Sequence, residues 1–436
     1  KYFFQNHPSG SPENEPSKLV GQNVRPLSKG HPIMITLLLS ISCTLSIMAQ
    51  EAPPTETAQK KEAVGTFTRS MPIGTGAVSQ SVALGDLDGD GDLDAFVANQ
   101  YGSKAGCSIW INDGRAEFTR HTGLVSTPDC SAVTLGDLDG DGDLDAWISN
   151  RVSMAPDTVW FNDGNGGFTD SGQRLGQSVS MNTALGDIDG DGDLDALVAN
   201  SDWSPSGPNI IWLNDGNGRF TFSGQRLGTG NSFDVAMGDL DGDGDLDAWV
   251  ANLGGPNTIW LNDGNGIFTD SGQALGNAKS KSVALGDLDG DGDLDVWVAN
   301  SSFGENPSHV WLNDGAGVFT DSGQSLGPEA LSRTVVLGDL DQDGDLDAFV
   351  GCMGTKPNMV WLNDGAAVFT DSGQTIGENN TYGAALGDLN GDGRLDAWAA
   401  NCSLPDREQP NRIWFNGPAD DTAKPSAETS STTAAD

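Results

Sequence analysis

The sequence predicts an all-β fold, a seven-bladed β-propeller with four strands in each blade. Three observations carry that reading. Near-copies of the string GDLDGDGDLDA recur through the chain, their first aspartates at Asp86, Asp137, Asp187, Asp239, Asp287, Asp339 and Asp388. Each copy is flanked by short apolar runs bounded by Gly, Asn, Asp or Pro. The period is about 50 residues, the size of a stacked supersecondary unit that cannot bury its apolar faces alone.

The four strands of a unit follow in order. The first is the run before the acidic string, as in Val82–Leu84 and Val283–Leu285; the second is the run after it, as in Ala95–Ala98 and Ala248–Ala251. The third is Ile/Val-Trp-Leu ahead of Asn-Asp-Gly, and the fourth begins at Phe-Thr-Asp-Ser-Gly. Short runs rich in β-branched and aromatic residues read as strands, and near-continuous apolar character buries both sheet faces. Blades stacked around an axis satisfy these demands. A parallel β-helix is the alternative, but its repeats are much shorter.

The chain ends point to a closed ring. Phe67-Thr68 matches a fourth strand with no third strand before it, and Ile413–Asn416 is a third strand with no fourth after it. The N-terminal strand is expected to complete the last blade and remove open sheet edges. Trp110, Trp160, Trp212, Trp260, Trp311, Trp361 and Trp414 share the third-strand position, and Trp147, Trp249, Trp297 and Trp398 follow the acidic string. That periodicity makes them packing residues filling the gaps between blades.

The acidic string reads as Asp-x-Asp-Gly-Asp-Gly-x-x-Asp, a calcium loop between first and second strands. Calcium takes six to eight oxygen ligands, and closely spaced carboxylates on a glycine-bearing loop supply them. The candidate ligands are Asp86, Asp88, Asp90, Asp92 and Asp94; Asp137, Asp139, Asp141, Asp143 and Asp145; Asp187, Asp189, Asp191, Asp193 and Asp195. They continue as Asp239, Asp241, Asp243, Asp245 and Asp247; Asp287, Asp289, Asp291, Asp293 and Asp295; Asp339, Asp341, Asp343, Asp345 and Asp347; and Asp388, Asn390, Asp392, Arg394 and Asp396. The seventh-position residues, Asp92, Asp143, Asp193, Asp245, Asp293, Asp345 and Arg394, are expected to ligate through the backbone carbonyl, because the arginine cannot do so through its side chain. Glycine holds position 6 in every copy, where the backbone must turn through a positive φ. Position 4 tolerates change, as Gln342 indicates. About seven ions are expected. Plain acidic hairpin turns are the alternative, but crowded carboxylates repel unless a cation sits among them. Magnesium prefers octahedral geometry with retained waters, and an EF-hand would need a Glu where Val97 and Val198 stand.

These residues carry a family resemblance. LGDLDGDGDLDAFVAN followed by Ile-Trp-Leu-Asn-Asp-Gly and Phe-Thr-Asp-Ser-Gly is similar to the FG-GAP/VCBS-type repeat of integrin α-subunit propellers and of many secreted bacterial proteins. The likeness spans most of the chain. It implies a calcium-stabilised propeller used in extracellular binding or adhesion. Leu-Gly-Asp stands where the integrin pattern often has Phe-Gly, and no inserted adhesion domain is visible.

The formal charge is −40, and just over half of the 62 acidic residues lie in the seven loops. That balance excludes nucleic acid as a partner. Ile33–Met48 is a compact apolar segment, short for a bilayer span, followed by a polar stretch containing Pro53 and Pro54. The domain reading is an upstream segment (1–33), a signal peptide (34–49), a linker (50–64), the propeller (65–417) and a disordered, Ser/Thr/Ala-rich tail (418–436). The mature chain is expected to have no transmembrane span and to be secreted or at the cell surface. Cys107 with Cys130 and Cys352 with Cys402 are both geometrically open as disulfides in an oxidising compartment.

The face opposite the acidic loops carries the variation between repeats, and loops on a rigid scaffold are where recognition usually resides. Trp203, Tyr101, His309 and Arg412 are the candidate ligand contacts there, for an extracellular glycan or surface protein. The alternatives are a calcium-stabilised structural scaffold and a propeller-based hydrolase or lyase. No Gly-x-Ser-x-Gly elbow, zinc spacing or phosphate loop supports the enzyme, and the repeated carboxylates leave no distinctive acid/base pair.

Overall fold

A computed structural model describes residues 65–74, 78–100, 106–122, 129–152, 155–201, 207–229, 231–301, 306–327, 331–403 and 409–417. The upstream segment, signal peptide, linker and tail expected from sequence lie outside the described residues, as do Tyr101 and Trp203.

The described residues form seven antiparallel four-stranded sheets, a seven-bladed propeller. The first strands of blades 1 to 7 are Ser79–Gly85, Cys130–Gly136, Val179–Gly186, Ser232–Gly238, Ser280–Gly286, Ser332–Gly338 and Thr381–Gly387. All seven line one axial cavity, so they are the innermost strands. Second strands such as Asp94–Asn99 are buried at every residue, because sheet faces on both sides cover them. The fourth strand is short in most blades, only Thr119–Arg120 in blade 1, and reaches seven residues, Thr221–Leu227, in blade 3. In blade 7 its place is taken by Phe67–Ile73, which pairs antiparallel with Asn411–Asn416.

Each apolar cluster is shared by two blades. Phe96 and Ile109 of blade 1 pack with Val133, Ile148 and Trp160 of blade 2. The second-strand tryptophans are fully buried and meet a phenylalanine of the next blade edge-on: Trp147–Phe220 at 4.9 Å, Trp297–Phe369 at 4.5 Å and, from blade 7 to blade 1, Trp398–Phe118 at 5.0 Å. Such pairs contribute about 0.5–1.5 kcal/mol beyond area burial. The fourth-strand phenylalanine is therefore a plug between blades more than a ladder residue.

Polar clamps add to this packing. The Asn of each Asn-Asp-Gly turn donates its side-chain amide to the preceding blade, as Asn162 does to the Leu87 carbonyl at 3.0 Å and Asn214 to that of Leu138 at 2.8 Å. The Gln after Asp-Ser-Gly reaches the following blade: Gln273 donates to the Gly317 carbonyl and accepts from the Phe319 amide. The sequence marks the Asn as part of a turn and gives the Gln no role.

Cys107 and Cys130 form a disulfide between blades 1 and 2, whereas Cys352 and Cys402 are free, buried thiols. The open Cys352–Cys402 pairing is thus corrected. Cys352 packs into the core shared with Trp297 and Val310, while Cys402 faces Gln80 of blade 1, whose Nε2 is 3.8 Å from its sulfur.

Candidate metal centres

In the first acidic loop Asp86 accepts hydrogen bonds from the Gly89 amide (2.8 Å) and the Gly91 amide (3.0 Å), and Asp90 accepts from the Asp92 amide (3.0 Å). These bonds curl the chain so that carboxylates 1, 3 and 5 face inward. Gly91 has φ 93°, and its counterparts all lie in the left-handed region that favours glycine. Position 4 is also left-handed, Gly89 at 79° and Gln342 at 61°. Change there is less free than the sequence implies. Gln342 adopts this conformation while its side chain donates to the Gly393 carbonyl of the next loop at 3.0 Å.

The ninth-position aspartate is buried and engaged. Asp94 accepts from the Leu87 amide at 2.9 Å and the Asn112 amide at 2.7 Å, closing the loop and fixing the Asn-Asp-Gly turn beside it. Burial pushes its carboxyl up to about 6, against the lowering effect of those two amides. Asp145, Asp195, Asp247, Asp295 and Asp347 repeat this, and Asp396 reaches about 7.

The third position tests whether a cation fits. One oxygen each of Asp88, Asp139, Asp189 and Asp341 is buried and, among the described residues, lacks a hydrogen-bond partner. Burial, then the neighbouring carboxylates, holds these groups above the usual carboxylate range. Carboxylate oxygens of Asp86, Asp88 and Asp90 lie within 4.8 Å of one another, as do those of Asp137, Asp139 and Asp145, and of Asp239, Asp241 and Asp243. An unpartnered buried oxygen facing two more carboxylates fits a hard divalent cation, and the all-oxygen donor set is compatible with calcium. The seventh-position carboxylates stand apart: that of Asp92 lies against Gly114 of the Asn-Asp-Gly turn, where any Cβ would clash. Arg394 instead sits 3.9 Å from Asp392.

Of the candidate ligand contacts, His309 and Arg412 lie on the third strands of blades 5 and 7. His309 Nδ1 is 3.2 Å from Asp321, and Arg412 donates to Ser70 at 3.3 Å, so each engages its own blade. Sequence reasoning missed the axial cavity, of about 310 Å³. One residue near the start of every innermost strand, the second in six blades and the third in blade 3, is a β-bulge that drops out of the ladder: Gln80, Ser131, Met181, Phe233, Lys281, Arg333 and Tyr382. Seven different residues at one position of a near-constant strand was the available signal. A wider groove of about 720 Å³ lies at blades 3 and 4, lined in part by Arg226, Trp260, Asp270 and Asn252.

Among the described residues no helix is long and apolar enough to cross a membrane. The chain matches no curated protein. In fold it is similar to BBS1N, in two crystal structures of BBS1N in complex with ARL6DN, one soaked with mercury and one with lead. They have TM-scores of 0.54 and 0.53, each at 12% identity, covering 81% of this chain and 97% of theirs. The FG-GAP-like repeat matches at residues 86–148, 187–250, 239–298, 287–350 and 339–399, more than half of the 436 residues. With its loops, strands and turns recurring in that order, the chain belongs to the FG-GAP-like repeat family.

Proposed function

We propose that this protein is a secreted or cell-surface binding module whose seven acidic loops hold about seven calcium ions and whose opposite face binds an extracellular glycan or protein. The observation that carries the reading is the division between the two ends of one rigid ring. At one end the loops are near-identical and present buried, unpartnered carboxylate oxygens. At the other end corresponding positions differ from blade to blade, as recognition surfaces on a fixed scaffold do. The fold suits a binding or scaffold role, and BBS1N, to which the chain is similar in fold, was crystallised in complex with ARL6DN. Calcium would neutralise the loop carboxylates, while the ninth-position aspartates and Asn clamps pass the order of each loop to the next blade.

The test is a glycan and matrix-protein array probed with the full chain in millimolar calcium and again in chelator. Saturable binding in calcium that chelator abolishes supports the reading. A chain that melts at lower temperature in chelator yet binds nothing in calcium is a calcium-stabilised scaffold instead.

A further inference from the structure

The bulged residues sit at the end of each innermost strand away from the acidic loop, and a bulge re-aims the extra side chain out of the sheet. Two of them, Lys281 and Arg333, bring positive charge into the axial cavity from adjacent blades. Lys281 Nζ lies 3.5 Å from the centre of the Phe233 ring; the Arg333 guanidinium lies 4.6 Å from the same ring and 5.0 Å from that of Tyr382. Among the described residues, no carboxylate stands within ion-pair distance (4.0 Å) of either cation. The acidic group nearest in the wall, Asp234, has its oxygens engaged by Asn182 and by the amides of Val235 and Val283.

Such an arrangement is costly. Burial, followed by the charges of Arg333, Arg151 and Lys279, pushes the Lys281 ammonium down to about 7; burial likewise pushes Arg333 down to about 10. In a chain with 62 acidic and 22 basic residues, carboxylate partners were abundant, yet among the described residues the one whose charge favours Arg333, Asp234, stands beyond ion-pair distance of it. Aromatic faces offset only part of the lost hydration. An anion between the cations would supply the missing partner, and a guanidinium grips planar oxyanions through paired N–H donors.

We propose that the mouth of the axial cavity is a binding site for a compact anion, a carboxylate or sulfate group on a ligand no larger than one sugar residue, held between Lys281 and Arg333. A volume of about 310 Å³ lies at the small end of ligand pockets, which sets the size limit. Arg151 strengthens the field and is itself steadied by Gln80, to whose Oε1 it donates at 3.0 Å. The site stands at the opposite end of the strands from the acidic loops, so it holds whether or not the wider face binds a glycan or protein.

The test is calorimetric titration of the full chain in calcium with sodium glucuronate, sodium sulfate and glucose, for wild type and for Lys281→Met, Arg333→Met and the double variant. Glucuronate is expected to bind saturably and glucose not at all, with each single variant weakening binding at least tenfold. Sulfate binding with the same residue dependence would identify a point-anion site; silence from sulfate while glucuronate binds would identify an acid sugar. Removing the mutually repelling cations should hold or raise the melting temperature, so unfolding will not mimic lost binding. Absence of binding by both anions, or equal affinity in wild type and the double variant, overturns the proposal.

Discussion

Asn112 donates its side-chain amide to the main-chain carbonyl of Leu389, 3.0 Å away and 277 residues along the chain, and so ties blade 1 to blade 7. The main-chain amide of the same Asn112 donates to the ninth-position carboxylate Asp94. One residue therefore links the end of its own acidic loop to the start of the loop next door. The contact recurs around the ring, from Asn162 on Leu87 to Asn416 on Leu340.

Asn262 is the place to test the clamp, since it is buried and bonds both the Ile188 carbonyl and Asp247, each at 2.8 Å. Asn262→Ala leaves the Ile188 carbonyl without this partner and should destabilise the protein by about 1–3 kcal/mol. Asn262→Asp should be at least as harmful, because it turns a carboxylate towards that carbonyl. Urea midpoints measured in calcium check both, and an unchanged Asn262→Ala midpoint would show that packing alone holds the blades.

Asp189 separates metal binding from folding. Its buried oxygen has no hydrogen-bond partner among the described residues, and its neighbours Asp191 and Asp187 repel it. Asp189→Asn should lower the measured calcium content by one ion and reduce stability in calcium, each site at one hundred times its Kd being worth about 2.7 kcal/mol. In chelator the order should reverse, the variant melting at or above wild type because repulsion is relieved. Elemental analysis and paired thermal melts read the two effects.

Asp157 carries a pH dependence outside the acidic loops. It is buried and accepts from the Asn150 amide at 2.8 Å, in the position that Asn209, Asn257, Asn358 and Asn411 occupy in other blades. Burial pushes its carboxyl up to about 7, from an ordinary value near 3.8. The group binds its proton more tightly when folded, so its stabilising contribution is complete below about pH 4 and falls by at most about 1.4 kcal/mol per unit until about pH 7. Asp157→Asn keeps the accepted hydrogen bond without the titration. It should gain on wild type steadily from pH 5 to 7 and then hold a constant advantage to pH 8, and parallel midpoints across that range would refute the assignment.

Repetition made most of the fold readable, because seven copies of one apolar-and-acidic pattern separate strand, loop and turn. What escaped was carried by residues whose sequence signal has a blander meaning. The Asn of Asn-Asp-Gly reads as a turn residue and the Gln after Asp-Ser-Gly carries no signal of its own, although Asn112 and Gln273 act between blades. Lys281 and Arg333 fell at a position that varies freely between repeats, and a bulge, which sequence periodicity does not mark, turned them inward. The disulfide followed the same rule: blade adjacency allowed two pairs, but side-chain direction decided for Cys107–Cys130 alone.

Gln374 is the point at which the N-terminal strand can be loosened without touching the rest of the ring. Its side chain donates to the Gly65 carbonyl at 2.6 Å and accepts from the Phe67 amide at 2.9 Å, while Phe67 packs edge-on against Phe349 at 5.7 Å. Gln374→Ala removes both hydrogen bonds and leaves the aromatic contact. Phe67–Ile73 is the edge strand of its sheet, and local opening at an edge needs less energy than global unfolding. Amide exchange should therefore quicken in Phe67–Ile73 and in the paired strand Asn411–Asn416, with blade 3 unchanged. Gln225 provides the internal comparison, since it makes the same two bonds to Gly266 and Phe268 inside the chain. There the gripped segment follows directly on the paired strand Thr258–Leu261, so Gln225→Ala should produce a smaller local rise. Equal acceleration in the two variants would mean that the N-terminal strand depends on its glutamine no more than an internal segment does, and unchanged exchange in Gln374→Ala would mean that sheet pairing alone anchors it.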